Sequence, residues 1–162
     1  MIHPSEKRRL KKCKISGFTS DIYEEPAIEI VYDFLQHCRA EKGYSLSINS
    51  LQLQELFIAF PKEIIVFTVK DREKIIALNV TVRISQSILY HFLSSNLSSY
   101  AQYSPAVMLT EEIYIFCQSE GISILDLGIS LDHHGNEKPG LMRFKENIGG
   151  ERSYKSIYEK VF

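Results

Sequence analysis

A run of period-two alternation at residues 76–84 constrains the fold of this chain more than any other feature. Apolar residues recur at every second position from Ile76 to Ile84, a pattern typical of a β-strand whose two faces meet different surroundings. Apolar runs at residues 64–70 and 88–93 lie on either side of it, each separated from it by a short polar turn. Because connections this short join antiparallel neighbours, the pattern predicts a three-stranded meander.

Upstream of the meander, the chain predicts one strand and two helices. Residues 18–23 have the composition of a first strand. Pro26 suits the first turn of a helix that closes at Gly43, because the apolar residues between them recur every three or four positions. Residues 50–60 form a second amphipathic helix before Pro61. Two amphipathic helices in succession need a larger apolar surface to cover, and the predicted sheet supplies one.

Downstream of the meander, Ser104 and Pro105 have the residue types of a helix cap and of a first helical position. The strand that follows this helix is predicted to run parallel to residues 88–93, because a helix lies between the two strands. The predicted downstream elements are a helix at 105–120, a strand at 123–128, a helix at 139–148 and a strand at 152–162.

The N-terminal segment carries the densest cluster of charge. Ser5 is predicted to cap a short helix that stops at Gly17. A solvated helix face is one interpretation of its charge, and a phosphate-bearing partner, either a polynucleotide or a nucleotide-linked substrate, is the other. The basic residues of this helix are Lys7, Arg8, Arg9, Lys11, Lys12 and Lys14.

Composition excludes several classes of protein. The 162 residues are 44% hydrophobic and carry a formal net charge of −1, which predicts one folded domain with a basic helix at 1–17 and a core at 18–162. The cysteines are scattered without a CxxC pair, so neither a disulfide framework nor a zinc site is expected. We expect two of the thiols to be buried and one to lie near the surface. No apolar run approaches the roughly 20 residues of a membrane span. The expected location is cytoplasmic.

Four short motifs follow one another in a defined order. A basic helix begins at Ser5, a helix begins with Ser104 and Pro105, and the strand at 123–128 ends in Asp-Leu-Gly. The last predicted helix lies in residues 140–149, whose sequence is GLMRFKENIG. With the α+β element order β-α-α-β-β-β-α-β-α-β, these motifs resemble the GNAT acyltransferase fold, in particular its FemAB-like branch. The resemblance implies a mixed central sheet with helices on both faces.

The resemblance also implies a reaction, in which an amine attacks an acyl group held as a thioester or as aminoacyl-tRNA. Backbone groups near Ser94, Ser95 and Asn96 would face the acyl carbonyl, and Ser104 at the helix start would face phosphates of the donor. Lys145 would face a phosphate or a carboxylate, or would stabilise the fold. The donors implied are acetyl-CoA, another acyl-CoA or aminoacyl-tRNA. Residues 96–104 contain no glycine, Arg or Lys, which predicts that the usual acetyl-CoA cradle is missing.

Several side chains are candidates for moving protons. Asp126 would act as a base or orient an amine, unless its carboxylate only accepts hydrogen bonds from the turn at 128–130. Tyr103 is a candidate acid, or one wall of the site. His91 would be a base only if its face of the strand opens on the cleft. The pair His133 and His134 lacks further ligands in the sequence, so no metal site is predicted.

Three functions remain open from the sequence. The first is N-acyl or aminoacyl transfer to a small-molecule amine, a nucleotide-linked sugar or another cell-envelope precursor. The second is a non-catalytic lobe of the same fold that binds a ligand or partner. The third is RNA binding by the basic helix. Relatives of this kind often carry two such lobes, so the chain either works alone or is one lobe of a larger protein, and aromatic residues at 154–162 are either core or the edge of a homodimer interface.

Overall fold

A five-stranded mixed sheet with helices on both faces is the frame of the computed structural model, which describes residues 2–131, 135–154 and 160. The helices are α1 (Pro4–Ile15), α2 (Ile28–Ala40), α3 (Ser50–Ala59), α4 (Pro105–Ser119) and α5 (Pro139–Asn147). The strands are β1 (Thr19–Ile22), β2 (Ile64–Asp71), β3 (Lys74–Ser85), β4 (Ile88–Asn96) and β5 (Ile124–Asp126). They lie side by side in sequence order. The pairs β1–β2, β2–β3 and β3–β4 are antiparallel, and β5 runs parallel to β4 as predicted.

Alternate residues of β2 and β3 point into two separate apolar clusters, which explains the period-two pattern. Val66 and Leu78 pack with Leu35 in the cluster that α2 and α3 cover. Phe67, the next residue of β2, packs with Leu109 in the cluster under α4. Burying one such side chain contributes about 1.5–3 kcal/mol. The central strands are therefore stabilised from both faces, and the predicted three-stranded meander is confirmed.

Helix starts are less well predicted than strands. The N-cap of α1 is His3 and not Ser5: His3 Nδ1 accepts a hydrogen bond from the Ser5 backbone N–H at 3.3 Å, and the His3 backbone N–H donates to the Asn147 carbonyl at 2.7 Å. Pro26 likewise lies before the N-cap of α2, which is Ala27. In both helices the N-terminal position that residue type predicts for Ser5 or Pro26 is held by a different residue.

The fourth strand is longer than predicted. It continues past residue 93 to Asn96, which pairs with Ala77 of β3. The predicted loop after residue 93 is therefore partly strand, and a 3-10 helix (Ser98–Tyr103) occupies most of the remainder. The extra strand residues matter because they form one wall of the pocket described below.

Some predictions fall at the margins of the described structure. The predicted strand at 152–162 has no regular secondary structure at 152–154, and most of its remainder lies outside the described residues, as does the His133 and His134 pair. All three cysteines are free and buried, so the expectation of one near the surface is wrong. Within the described ranges, no helix combines the length and apolar character needed to cross a bilayer.

A buried carboxylate on α1, that of Glu6, is paired with an arginine of the same helix. The Glu6 side chain is fully buried, and Arg9 Nη1 donates to its two oxygens at 2.8 and 3.1 Å. We expect Arg9→Gln to lower the free energy of unfolding by about 1.5–3 kcal/mol, because it weakens a charge-assisted hydrogen bond to a buried acid. Urea denaturation measures the change. Arg8→Gln is the matched control, since Arg8 is exposed like Arg9 but Arg9 is the arginine that bonds to Glu6, and an equal effect of the two substitutions would contradict the assignment.

Candidate active site

β5 is shorter than β4 and pairs with only the first part of it. Ile88 to Tyr90 pair with Ile124 to Asp126, where β5 ends, and β4 continues to Asn96. The chain turns at Gly128, which has a φ of 71°. A pocket of about 440 Å³ lies beside the unpaired part of β4. A strand edge that is not covered by a neighbour offers backbone N–H and C=O groups to a ligand.

A β-bulge in β4 lies just beyond the part of the strand that pairs with β5. Leu93 pairs with Val80 and His91 pairs with Thr81, so Phe92 is an extra residue on β4. Bulges bend the strand that carries them, and this one follows Tyr90, the last residue of β4 that pairs with β5. Phe92 packs toward the cluster under α2 and α3, whereas His91 lines the pocket.

The start of α4 forms a second wall of the pocket, through Ser104, Ala106 and Thr110. Ser104 is the N-cap of α4 and Pro105 its first residue, as predicted, but Ser104 has a left-handed conformation (φ 56°, ψ 55°) and its side chain makes no capping hydrogen bond. A non-glycine residue in this conformation costs about 1–2 kcal/mol. The tight turn before the helix is thus made without glycine. The first turn of α4 places its partial positive charge beside the pocket.

The charged side chains that line the pocket are both cationic. Lys42, which follows α2, lies with Nζ 3.4 Å from the Asn96 carbonyl oxygen. Lys145 on α5 donates to the carbonyl oxygens of Gly128 and Ile129 at 3.0 and 2.7 Å. The second set of contacts agrees with the fold-stabilising alternative for Lys145, because it closes the turn after β5.

Next to Lys42, Glu41 holds the start of the 3-10 helix. The Ser98 backbone N–H donates to Glu41 Oε2 at 3.1 Å. This hydrogen bond lowers the pKa of Glu41 below its usual value. The end of α2 is therefore attached to the segment that leads into α4, and it carries Lys42 to the rim of the pocket.

The structure brings five predicted donor-binding residues to one place. Although they come from three elements, the end of β4, the start of α4 and α5, all of them line the same pocket. Their role in binding a donor stays a prediction. The five residues are Ser94, Ser95, Asn96, Ser104 and Lys145.

The two predicted catalytic residues are not among the residues that line this pocket. Asp126 Oδ1 accepts a hydrogen bond from the Gly128 backbone N–H at 2.8 Å, which is the turn-stabilising alternative. The ring of Tyr103 packs on Phe18 with centroids 5.1 Å apart, and the Lys12 ammonium lies 4.7 Å from its centroid. Tyr103 is thus directed toward α1. A catalytic role for either residue remains a prediction without support from this placement.

Sequence reasoning missed Lys42 and Thr110 as parts of the pocket. Lys42 is 54 positions from Asn96, and no local pattern links the two residues. For His91 the sequence stated a condition, that its face of the strand must open on the cleft, and the structure meets that condition. Burial, followed by the nearby Lys145 ammonium, lowers the pKa of His91 to about 4. In the described part of the chain, no group of three or more metal-ligating side chains is present.

Comparison with known proteins identifies one matching domain family. The sequence model of the acetyltransferase (GNAT) domain matches residues 5–146. No curated protein matches the chain significantly by sequence.

Several solved structures are similar in fold at low sequence identity. FemX has a TM-score of 0.74 and 10% identity, with 91% of this chain and 54% of the FemX chain covered, so this chain spans about half of FemX. AAC(6')-Iy, solved with the bisubstrate analogue CoA-S-monomethyl-acetylneamine, has a TM-score of 0.68 and 10% identity, covering 90% of this chain and 98% of that one. The aminoglycoside 6'-N-acetyltransferase AAC(6')-Ih from Acinetobacter baumannii has a TM-score of 0.61 and 13% identity, covering 90% and 99%. At these identities, the similarity shows the fold.

Proposed function

The chain belongs to the acetyltransferase (GNAT) domain family, and on that premise we propose that it is an N-acyltransferase. It transfers an acyl group from a thioester donor to the amine of a small molecule or cell-envelope precursor. The observation that carries this proposal is that β4 extends beyond the end of β5, and that a pocket of about 440 Å³ lies between this part of β4 and the start of α4. A strand edge next to a helix N-terminus suits a donor that has an acyl carbonyl at one end and phosphates at the other.

The donor groups of the pocket fit an acyl-CoA. Bound acyl-CoA would supply an acyl carbonyl that is already activated as a thioester. The uncovered edge of β4 near Ser94 would donate backbone N–H groups to the carbonyl oxygen, where negative charge develops during attack. The start of α4 at Ser104, together with the Lys42 ammonium, would hold phosphates. The turn made by Ser104 replaces the glycine turn that the sequence lacks.

Part of the pocket lining is apolar. Leu127, Leu141, Phe144 and Ile148 contribute apolar side chains to it, and a bound donor and amine would displace water from them. Excluding water protects a thioester from hydrolysis and strengthens the electrostatic interactions within the site. Holding the amine beside the carbonyl in such a pocket supplies much of the rate increase expected of acyl transfer between two bound molecules.

The alternatives from the sequence are weighed by specific contacts. A non-catalytic binding lobe is favoured by Asp126 and Lys145, whose observed contacts stabilise the turn after β5. Aminoacyl-tRNA as donor gains no support from α1, because three of its six basic residues have partners within the protein, Arg9 with Glu6, Lys12 with Gln102 and Lys14 with Glu111. RNA contact, a homodimer and a cytoplasmic location stay predictions.

Thermal unfolding with donors present tests the proposal. We expect acetyl-CoA or a longer acyl-CoA at a concentration of 100 Kd to stabilise the protein by about 2.7 kcal/mol, which raises Tm by roughly 5–10 °C in a domain of this size. Release of free thiol in the presence of amino sugars, nucleotide-linked amino sugars and aminoglycosides measures turnover.

Three outcomes are informative. Stabilisation with amine-dependent release of thiol supports the acyltransferase. Stabilisation without turnover on any amine supports the binding lobe instead. If no acyl-CoA and no free CoA changes Tm, the proposed donor class is wrong.

A further inference from the structure

The turn that opens α4 is strained at a residue of the pocket. Glu25, Arg72 and Ser104 are the non-glycine residues with positive φ in the described part of the chain, and of these Ser104 lines the pocket. A residue keeps such a conformation only where its surroundings hold it in place. The contacts of the segment before Ser104 therefore bear on the shape of the pocket.

The peptide group between Tyr103 and Ser104 is held at both of its polar atoms. Its N–H, from Ser104, donates to the Ala101 carbonyl at 3.1 Å at the end of the 3-10 helix. Its carbonyl oxygen, from Tyr103, accepts a hydrogen bond from the Cys13 thiol of α1, with Sγ 3.1 Å away. Because the orientation of this planar group sets the φ of Ser104, the contact with Cys13 helps to fix the left-handed turn.

Two neighbouring residues of α1 bind the end of the 3-10 helix. Cys13 is fully buried, and burial raises the pKa of its thiol, so that the sulfur keeps its proton at neutral pH and remains a donor. Lys12 donates to the Gln102 carbonyl oxygen at 3.0 Å, and its ammonium lies 4.7 Å from the ring centroid of Tyr103. The last carbonyls of a helix have no partner within the helix. Here α1 supplies partners for two of them.

Other elements hold the 3-10 helix farther from the turn. Its start is bonded to Glu41 through the Ser98 N–H. Its middle is bonded to the end of β2, where the Tyr100 hydroxyl donates to Asp71 Oδ2 at 2.9 Å. These contacts lie four and six positions before Ser104, whereas the contact with Cys13 is made by the adjoining residue.

We propose that α1 positions the donor-binding turn, with Cys13 and Lys12 as positioning residues for the binding of acyl-CoA. The inference rests on the proposed acyltransferase function and gives part of the basic helix a role within the protein. Without these contacts the turn relaxes toward an unstrained conformation, and donor binding has to restore it. The apparent Kd then rises in inverse proportion to the fraction of molecules that keep the turn. Neither residue lines the pocket, so we expect kcat at saturating donor to be retained.

Cys13→Ala is the first test. We expect the KM for acyl-CoA, and the Kd of CoA measured by calorimetry, to rise by about 5–30-fold, the factor that corresponds to the cost of the left-handed Ser104. Cys38→Ala is the matched control, because it makes the same substitution at an equally buried cysteine of α2. A purely structural role for Cys13 predicts lower stability in both variants and a changed KM in neither. An unchanged KM in Cys13→Ala overturns its positioning role.

Lys12→Met keeps the proposal falsifiable if Cys13→Ala does not fold, because Lys12 is exposed. We expect it to raise the KM for acyl-CoA by about 2–10-fold, the range for loss of one hydrogen bond, and Lys12→Arg, which keeps a donor, to raise it less. The matched control is Lys11→Met, which removes the same charge from an exposed residue of the same helix. Equal effects of Lys12→Met and Lys11→Met would mean that α1 acts only through its net charge, and would overturn the positioning role of Lys12.

Hydrogen exchange tests the positioning without a donor. We expect the Ser104 amide to exchange faster in Cys13→Ala than in Cys38→Ala, because its hydrogen bond to Ala101 opens more often once the turn is released. Unchanged exchange, in a protein that binds acyl-CoA, overturns the positioning alone. If the unsubstituted protein binds no acyl-CoA, the proposed function is wrong, and the role of α1 in donor binding is wrong with it.

Discussion

Tryptophan in place of Ala106 should abolish donor binding and acyl transfer while the protein remains folded. Ala106 lies in the first turn of α4, and its side chain faces the pocket without being fully buried. An indole at this position would occupy much of a pocket of about 440 Å³, at the point where the proposed donor passes between β4 and α4. We expect kcat/KM to fall by at least about 100-fold, which corresponds to a loss of about 2.7 kcal/mol of transition-state binding.

The measurement combines steady-state kinetics with the donor-induced shift in Tm. The matched control is Ile115→Trp, which places the same side chain on the same helix at a residue that is 52% exposed and does not line the pocket. We expect this variant to keep both activity and the shift. If Ala106→Trp is folded and acyl-CoA still raises its Tm as it does for the unsubstituted protein, the donor does not bind in this pocket.

The largest expected loss of stability follows from Phe67→Ala. Phe67 is fully buried at the centre of β2, and its ring meets Phe116 of α4 edge to face with centroids 5.4 Å apart. Removing the ring loses its burial and leaves a cavity between the sheet and α4, because the surrounding side chains relax only partly. We expect the free energy of unfolding to fall by about 3–5 kcal/mol.

Urea denaturation, followed by far-ultraviolet circular dichroism and by tyrosine fluorescence, measures this change. Phe60→Ala is the matched control, since Phe60 undergoes the same substitution at the end of α3, where its side chain is 50% exposed. We expect Phe60→Ala to cost no more than about 1 kcal/mol, as substitutions outside the core usually do. Similar losses in the two variants would mean that the cluster beneath α4 is not the core of this sheet.

The fold was largely predictable because its signals are local. The alternation at residues 76–84 and the polar turns on either side of it specify the meander, and a helix between two strands makes the second strand parallel to the first. The helix predicted at 50–60 is α3, and its start carries a capping box between Asn49 and Gln52. Each of these features depends on residues that are close together in sequence.

Caps and site residues were less predictable because they depend on distant partners. The N-cap of α1 is His3, whose backbone N–H bonds to the distant Asn147 carbonyl, and not Ser5. Lys42 reaches Asn96 only in the folded chain. The prediction that the usual donor cradle is missing rests on the absence of glycine and stays a prediction, while the left-handed conformation of Ser104 is a feature that residue type did not indicate.

The sequence by itself determined the order of the elements from α1 to α5 and the mixed sheet, since periodicity and turn chemistry act over a few residues, and its short motifs carried the resemblance to the family. It also identified five residues that meet in one pocket. Only the tertiary structure decided which faces open there. The bulge at Phe92 presents His91 to the pocket, and the turn at Gly128 engages Asp126, because the bend of a strand and the partner of a carboxylate depend on packing between segments that are far apart in sequence.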